Sequence, residues 1–170
     1  ITKRLNLFPY QMLFFSAFRY GNLQPAFPEI AGKTERKLST LQADEQVLLL
    51  TGIASPAPIM QELEKYTSHI DLLAFDDHHN FSQRDIQSIR ERFKKLKGEQ
   101  RLIITTEKDA TRLVHHPVMD RELKKYIYIL PIEVEILQNQ QDIFNQHIIG
   151  YVRENTRNGS LPERKDAHKS

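Results

Sequence analysis

The chain has 170 residues, 24 basic and 22 acidic, for a formal net charge of +2. That near-balance gives no argument for a nucleic-acid partner, and a chain of this length suggests one main domain with a real core. The absence of cysteine excludes disulfides and thiolate metal sites and fits a reducing compartment; no apolar run approaches the ~18 residues of a membrane span.

Residues 1–15, "ITKRLNLFPYQMLFF", lack the long apolar stretch and small-residue cleavage site of a signal peptide. The chain opens on Ile1, which fits either a trimmed terminus or a piece of a longer protein. Residues 11–20, "QMLFFSAFRY", are apolar and extended in character; Gly21-Asn22 offers a turn and "LQPAF" follows. This predicts a β-hairpin over 11–27, weakened at Pro25. Residues 28–44 are polar and read as a loop or linker.

The texture then changes. "VLLLTGI" (47–53) is a continuous apolar run, as expected of a strand buried on both faces. Ser55 and Pro56 predict an N-cap and first turn, with Ile59, Leu63 and Tyr66 at helical spacing. "IDLLAF" (70–75) is a second strand. Ser82 caps a second helix in a capping-box pattern with Asp85, and its apolar stripe is Ile86, Ile89, Phe93 and Leu96. "RLIITT" (101–106) is a third strand. Thr106 starts another helix, with Glu107 and Asp109 where the helix dipole favours anions. Residues 126–137 contain a fourth strand, interrupted by Pro131. A closing helix spans about 140–152, with His147 packed on its apolar side, and residues 156–170 read as a disordered tail. Strand–helix alternation of this kind predicts an α/β fold: a three-layer sandwich around a mainly parallel sheet, preceded by a two-stranded β-hairpin linker.

Gly32-Lys33-Thr34 imitates the end of a phosphate-binding P-loop. That motif needs a glycine where Phe27 stands, and a buried strand before it. Neither is present, and no other Gly-x-x-x-x-Gly-Lys-Ser/Thr occurs in the chain. Three polar stretches instead follow the three core strands: "TGIASP" (51–56), "FDDHHNF" (75–81) and "TEKDAT" (106–111). Ligand sites of open α/β sheets lie outside the carboxyl ends of the strands, so these stretches should converge on one edge.

"FDDHHNF" admits three readings. Asp76, Asp77 and Asn80 cap a helix while a histidine packs against Phe81; or an aspartate orients a neighbouring imidazole that works as a base; or the cluster binds a metal ion. Adjacent His78 and His79 point different ways on a strand or turn, which disfavours the third. In "TEKD", either Thr106 and Asp109 simply form a helix turn, or Lys108 or Glu107 serves as an electrostatic partner of the Asp-His site or of a substrate phosphate. Gly52 in "TGIASP" permits close approach of a ligand or another backbone. His115 and His116 end a helix, where the dipole favours a cation.

"LLLTGIASPAPIMQEL", "FDDHHNFSQRDI" and "IITTEKDATRL", in this order and at these spacings, closely resemble the C-terminal half of the tetraacyldisaccharide 4′-kinases, the lipid A kinases of Gram-negative bacteria, in their Bacteroidetes branch. The resemblance runs from about Leu5 to Val152. It implies two α/β domains joined by a two-stranded linker. The N-terminal domain would carry the P-loop, bind ATP and Mg²⁺ and associate with the cytoplasmic face of the inner membrane. It further implies transfer of the ATP γ-phosphate to the 4′-hydroxyl of a tetraacyldisaccharide 1-phosphate, the lipid A precursor. Asp77, His78 and His79 map onto the family's Asp-His-His motif, with His78 the candidate base and Asp77 its orienting group or a Mg²⁺ ligand. Thr51, Gly52, Ser55, His79, Thr106, Glu107, Lys108 and Asp109 are the supporting positions, although Asn is expected more often than Ser at 55.

The implied boundaries are 1–9 for the end of the P-loop domain, 10–37 for the linker, 38–155 for the C-terminal α/β domain and 156–170 for the tail. Without a P-loop, these residues alone should be inactive. Two other readings stay open: a metal-dependent phosphoesterase of the type named for its Asp-His-His motif, and a non-catalytic α/β binding module. The first needs further aspartate motifs, whereas Asp71, Asp76, Asp77 and Asp85 crowd one region.

Overall fold

A computed structural model describes residues 6–8, 11–32, 35–77 and 79–158. His78, Lys33, Thr34, most of the expected 1–9 remnant and residues 159–170 of the expected tail lie outside the described residues. The chain divides into two compact units. One is Tyr20–Glu133, and the other draws on the described residues before and after it.

In the first unit, β2 (Gln24–Pro25), β3 (Gln46–Thr51), β4 (His69–Ala74), β5 (Arg101–Thr106) and β6 (Ile127–Leu130) form a sheet in the order β2-β6-β5-β3-β4. β3 pairs in parallel with both β4 and β5, and β5 pairs in parallel with β6; only β2 runs antiparallel. The alternation of side chains along a strand sorts the core into two layers. Leu48, Leu50, Ile103 and Ile127 face one side and pack with Ile86, Ile89 and Phe93 of α3 (Gln83–Lys95). Val47, Leu49, Leu102 and Ile104 face the other and pack with Ile59 and Leu63 of α2 (Ala57–Leu63). This is the three-layer α/β arrangement expected from the alternation, and the apolar runs of β3 and β5 are buried because helices cover both faces.

Local chemistry sets the helix starts. The Ser82 hydroxyl accepts the Asp85 amide, and the Asp85 carboxylate accepts the Ser82 amide in return, the complete capping box. Thr106 caps α4 (Glu107–Val114) by accepting the Asp109 amide. Ser55 does not cap: α2 begins one residue later, with Pro56 as N-cap and no side-chain hydrogen bond. Pro58 at its start supplies the fixed φ that the sequence reading gave to Pro56.

The two-stranded sheet exists, but it is not a hairpin. β1 (Ser16–Tyr20) pairs with β7 (Ile132–Ile136), while residues 24–25 join the edge of the large sheet. Pro131 separates β6 from β7 because it cannot donate to the ladder, and the backbone moves there from one sheet to the other. Residues 28–44 are more than a linker. They contain the short helix α1 (Pro28–Ala31) and a 3-10 turn, and they bury Leu38 and Leu41 in the core layer of α2. The small helix α5 (Arg121–Lys124) adds Leu123 to the opposite layer.

The second unit comprises the β1–β7 pairing and α6 (Gln141–Asn158). The closing helix therefore continues to Asn158, three residues into the stretch read as tail, and it groups with β1 and not with the sheet domain. His147 is exposed, with its ring 6.2 Å from that of Phe14, so it is not the packed histidine expected.

Candidate functional site

The sheet succession reverses at β3: the chain steps from β3 to β4 on one side, then crosses to β5 on the other. The carboxyl ends of β3 and β5 therefore flank the position where open α/β sheets usually hold a ligand. Here that position is bridged by protein. The buried Asp109 carboxylate accepts the Gly52 amide N–H at 2.9 Å and the Thr106 hydroxyl at 2.7 Å, both through Oδ2. A Cβ at residue 52 would lie 3.0 Å from Asp109 Oδ1 and 3.2 Å from the Asp76 carbonyl oxygen. Glycine is thus required by packing, and the close approach comes from this chain's own β4 end and α4 start.

The third strand end joins through the Phe75 amide, which donates to the Thr51 carbonyl at 2.8 Å and extends the β3–β4 ladder by one residue. Just beyond, Lys108 Nζ donates to Asp77 Oδ1 at 2.8 Å. All three polar stretches therefore meet at one edge: Gly52 against Asp109 and Asp76, and Asp77 against Lys108. The Lys108 side chain is 41% exposed and that of Asp77 46%, so water screens the pair.

His79 has a different role. Its ring stacks on Phe75 at 4.7 Å and meets the edge of Phe81 at 5.4 Å. Its Nε2 lies 3.0 Å from Asp85 Oδ2, the same oxygen that the Ser82 amide and hydroxyl use. Burial pushes the Asp85 carboxyl up, but hydrogen bonds from the Ser82 hydroxyl and amide and from His79 outweigh it, so the group titrates below the ordinary carboxylate range. His79 is therefore a packing and capping histidine, the structural role weighed for one member of the pair. The missed residue was Asp85, six positions on, whose cap signal concealed a second use.

Thr51 is buried and contributes its backbone to the β3–β4 ladder. Ser55 and Glu107 are exposed at the same edge. Arg112 Nη1 stands 3.8 Å from Asp109 Oδ1, one helical turn further along α4. No group of three or more His, Asp or Glu suited to a metal ion occurs among the described residues. Asp77, named from the resemblance as a possible Mg²⁺ ligand, is paired with Lys108.

The profile of the family described as "Tetraacyldisaccharide-1-P 4'-kinase" matches residues 15–152. This chain belongs to the tetraacyldisaccharide 4′-kinase family. The tetraacyldisaccharide 4′-kinase of Bacteroides fragilis is 74% identical over 170 residues, which cover 100% of this chain and 45% of that protein. The enzyme of Bacteroides thetaiotaomicron is 66% identical, covering 100% of this chain and 46% of its own length, and that of Phocaeicola vulgatus 51% identical, covering 95% and 43%. The chain thus spans about half the length of the 4′-kinases it matches. A solved structure of LpxK from Aquifex aeolicus in complex with ATP is 14% identical, with a TM-score of 0.44, over 84% of this chain and 37% of that one.

Proposed function

We propose that these residues form the C-terminal part of a kinase that transfers the γ-phosphate of ATP to the 4′-hydroxyl of tetraacyldisaccharide 1-phosphate, in lipid A biosynthesis. Family membership supports this reading, and the convergence of Gly52, Asp77, Lys108 and Asp109 on one sheet edge is the structural observation that carries it. ATP and Mg²⁺ belong with the larger remainder of the relatives' length, because no P-loop motif occurs in these 170 residues. Mg²⁺, when bound there, would neutralise charge on the transferred phosphoryl group.

The chemistry assigned to this chain is proton transfer and positioning. His78 accepts the proton of the sugar 4′-hydroxyl as that oxygen bonds to the γ-phosphorus and the bond to the β-γ bridging oxygen breaks, leaving ADP. Asp77, held from the α4 side by Lys108, is assigned as the orienting group of that base. The work takes place at the cytoplasmic face of the inner membrane. No described helix is long and apolar enough to cross a membrane; following the family resemblance, membrane contact is assigned to the other part of the protein. The domain that closes on the nucleotide is the sheet unit, Tyr20–Glu133.

The test uses a protein of the relatives' full length. His78→Ala should lower kcat by about 10²–10⁴-fold, the usual worth of a placed general base, whereas His79→Ala should act mainly through stability. Unchanged turnover in His78→Ala would remove the proposed base and favour a non-catalytic module. Manganese-dependent hydrolysis of a model phosphodiester by the 170-residue chain would favour the phosphoesterase reading instead.

A further inference from the structure

α3 lays Gln83, Arg84, Ile86, Gln87 and Arg90 along a groove of about 330 Å³, closed on the other side by Val118 from the segment that follows α4. That volume stands at the lower end of the roughly 300–1,000 Å³ usual for small-ligand sites. Residues 83, 87 and 90 recur at helical spacing and so share one face of the helix. The floor is the buried Ile86, and Val118 offers an exposed apolar edge. The lining contains two guanidinium groups and no carboxylate. The acids nearby in sequence are engaged elsewhere: Asp85 closes the capping box and meets His79, and Glu91 accepts the Gln87 amide at 2.8 Å.

Neither arginine is fully used by the fold. The Arg84 side chain is exposed and has no hydrogen bond or ion pair among the described residues. It stands in the first turn of α3, where the helix dipole disfavours a cation, so helix stability does not account for it. Arg90 is loosely held: its Nε lies 3.4 Å from Asp120 Oδ2, yet it is buried and has no hydrogen-bond partner among the described residues. The surroundings are positive as well. Residues 83–101 hold seven basic and three acidic side chains, a net +4 against +2 for the entire chain.

We infer that this groove binds a phosphomonoester dianion, with the Arg84 and Arg90 guanidiniums as its donors. A guanidinium fork meets two phosphate oxygens at once, and the exposed Gln83 amide supplies a neutral donor beside them. Val118 gives the body that carries the phosphate an apolar surface to lie on. The ligand is either a soluble phosphomonoester or the 1-phosphate of the lipid acceptor, which present the same group; only the second source rests on the phosphotransfer reading.

The 170-residue chain, with its arginines labelled with nitrogen-15, is titrated with inorganic phosphate at constant ionic strength, and the arginine Nε–H signals are followed by NMR. The Arg84 and Arg90 signals should move along one saturable curve. Arg84→Gln, at an exposed and unpaired position where the fold is not at stake, should weaken binding about tenfold or more. Lys95→Gln removes an exposed cation of α3 outside the groove and should leave binding within about twofold. Shifts that never saturate, or equal weakening by the two substitutions, would overturn the inference by showing diffuse charge alone. The source is then read in a protein of the relatives' full length carrying Arg84→Gln. A KM raised for the acceptor lipid and not for ATP puts the acceptor's phosphate in the groove. Unchanged KM values, with phosphate binding by the 170-residue chain still lost, make the ligand a soluble phosphomonoester. A full-length protein without kinase activity would end the phosphotransfer reading and leave the titration standing.

Discussion

The Asp109 carboxylate accepts the Gly52 amide N–H at 2.9 Å, tying the start of α4 to the end of β3 across 57 positions of sequence. Neither residue needs to touch a substrate to matter. The bond holds the end of β3 against α4, the helix that carries Lys108, and the Thr106 hydroxyl completes it at 2.7 Å. Asp109 is completely buried, so these donors stand in for water at Oδ2; its Oδ1 has no hydrogen-bond partner among the described residues, and Arg112 Nη1 stands 3.8 Å from it.

Asp109→Ala leaves the Gly52 amide and the Thr106 hydroxyl without their acceptor. We expect a loss of at least about 2 kcal/mol of stability in urea unfolding, with Asp109→Asn retaining part of it through its carbonyl oxygen. A midpoint equal to that of the parent in Asp109→Ala would show that the strut carries no net stability.

Gly52→Ala introduces a methyl group 3.0 Å from Asp109 Oδ1 and 3.2 Å from the Asp76 carbonyl. One contact is backbone and the other a buried, hydrogen-bonded carboxylate, so neither yields cheaply. About 1–3 kcal/mol of destabilisation is expected, read as a lower melting temperature. In the full-length protein, kcat should fall further than the stability loss accounts for.

The Lys108–Asp77 pair is half-exposed, and a double-mutant cycle of Lys108→Met and Asp77→Asn should give a coupling below about 1 kcal/mol in stability. Its worth should appear in turnover: in the full-length protein Lys108→Met should lower kcat more than any change in melting temperature would suggest. A turnover equal to the parent's would leave Lys108 a solvated surface lysine.

Asp85 titrates below its ordinary range in the folded chain, chiefly through Ser82 once burial is overcome. Its contribution to stability is therefore complete above the unfolded carboxyl value of about 3.9 and fades as the pH falls through the lower folded value. Asp85→Asn should cost about 1 kcal/mol at neutral pH through the capping box. That gap should close in acid, so unfolding free energies measured from pH 7 downward should converge; a gap constant with pH would show that the carboxylate charge is not what matters.

The sheet was legible because its signals are local and repeated. The apolar runs of β3 and β5, the Ser82 cap and the stripe Ile86–Ile89–Phe93 each state their own geometry, and the three polar strand ends followed from parallel topology. What failed was pairing at a distance. Gly21-Asn22 is a genuine hairpin signal, but β1 found its partner in β7 beyond the whole sheet domain, and nothing in 11–27 announces that. The site shows the same limit. Thr106 and Asp109 are visible as cap and N3 residue, three apart, but the second use of Asp109, as acceptor for Gly52, depends on strand order. Likewise the carboxylate that meets His79 is Asp85, six positions on, which the sequence marks only as a capping-box residue.

The pairing of β1 with β7 also has a consequence in time. A ribosome delivers β1 early and β7 only after the entire sheet domain has emerged, so at about 5–20 residues per second β1 waits on the order of ten seconds for its partner. By the end of that interval the sheet domain has gained every strand it needs, β6 last, while β1, with its exposed Phe18, still has none. The nascent chain should therefore fold from the middle outward, and the unpaired β1 segment is where a chaperone would find it.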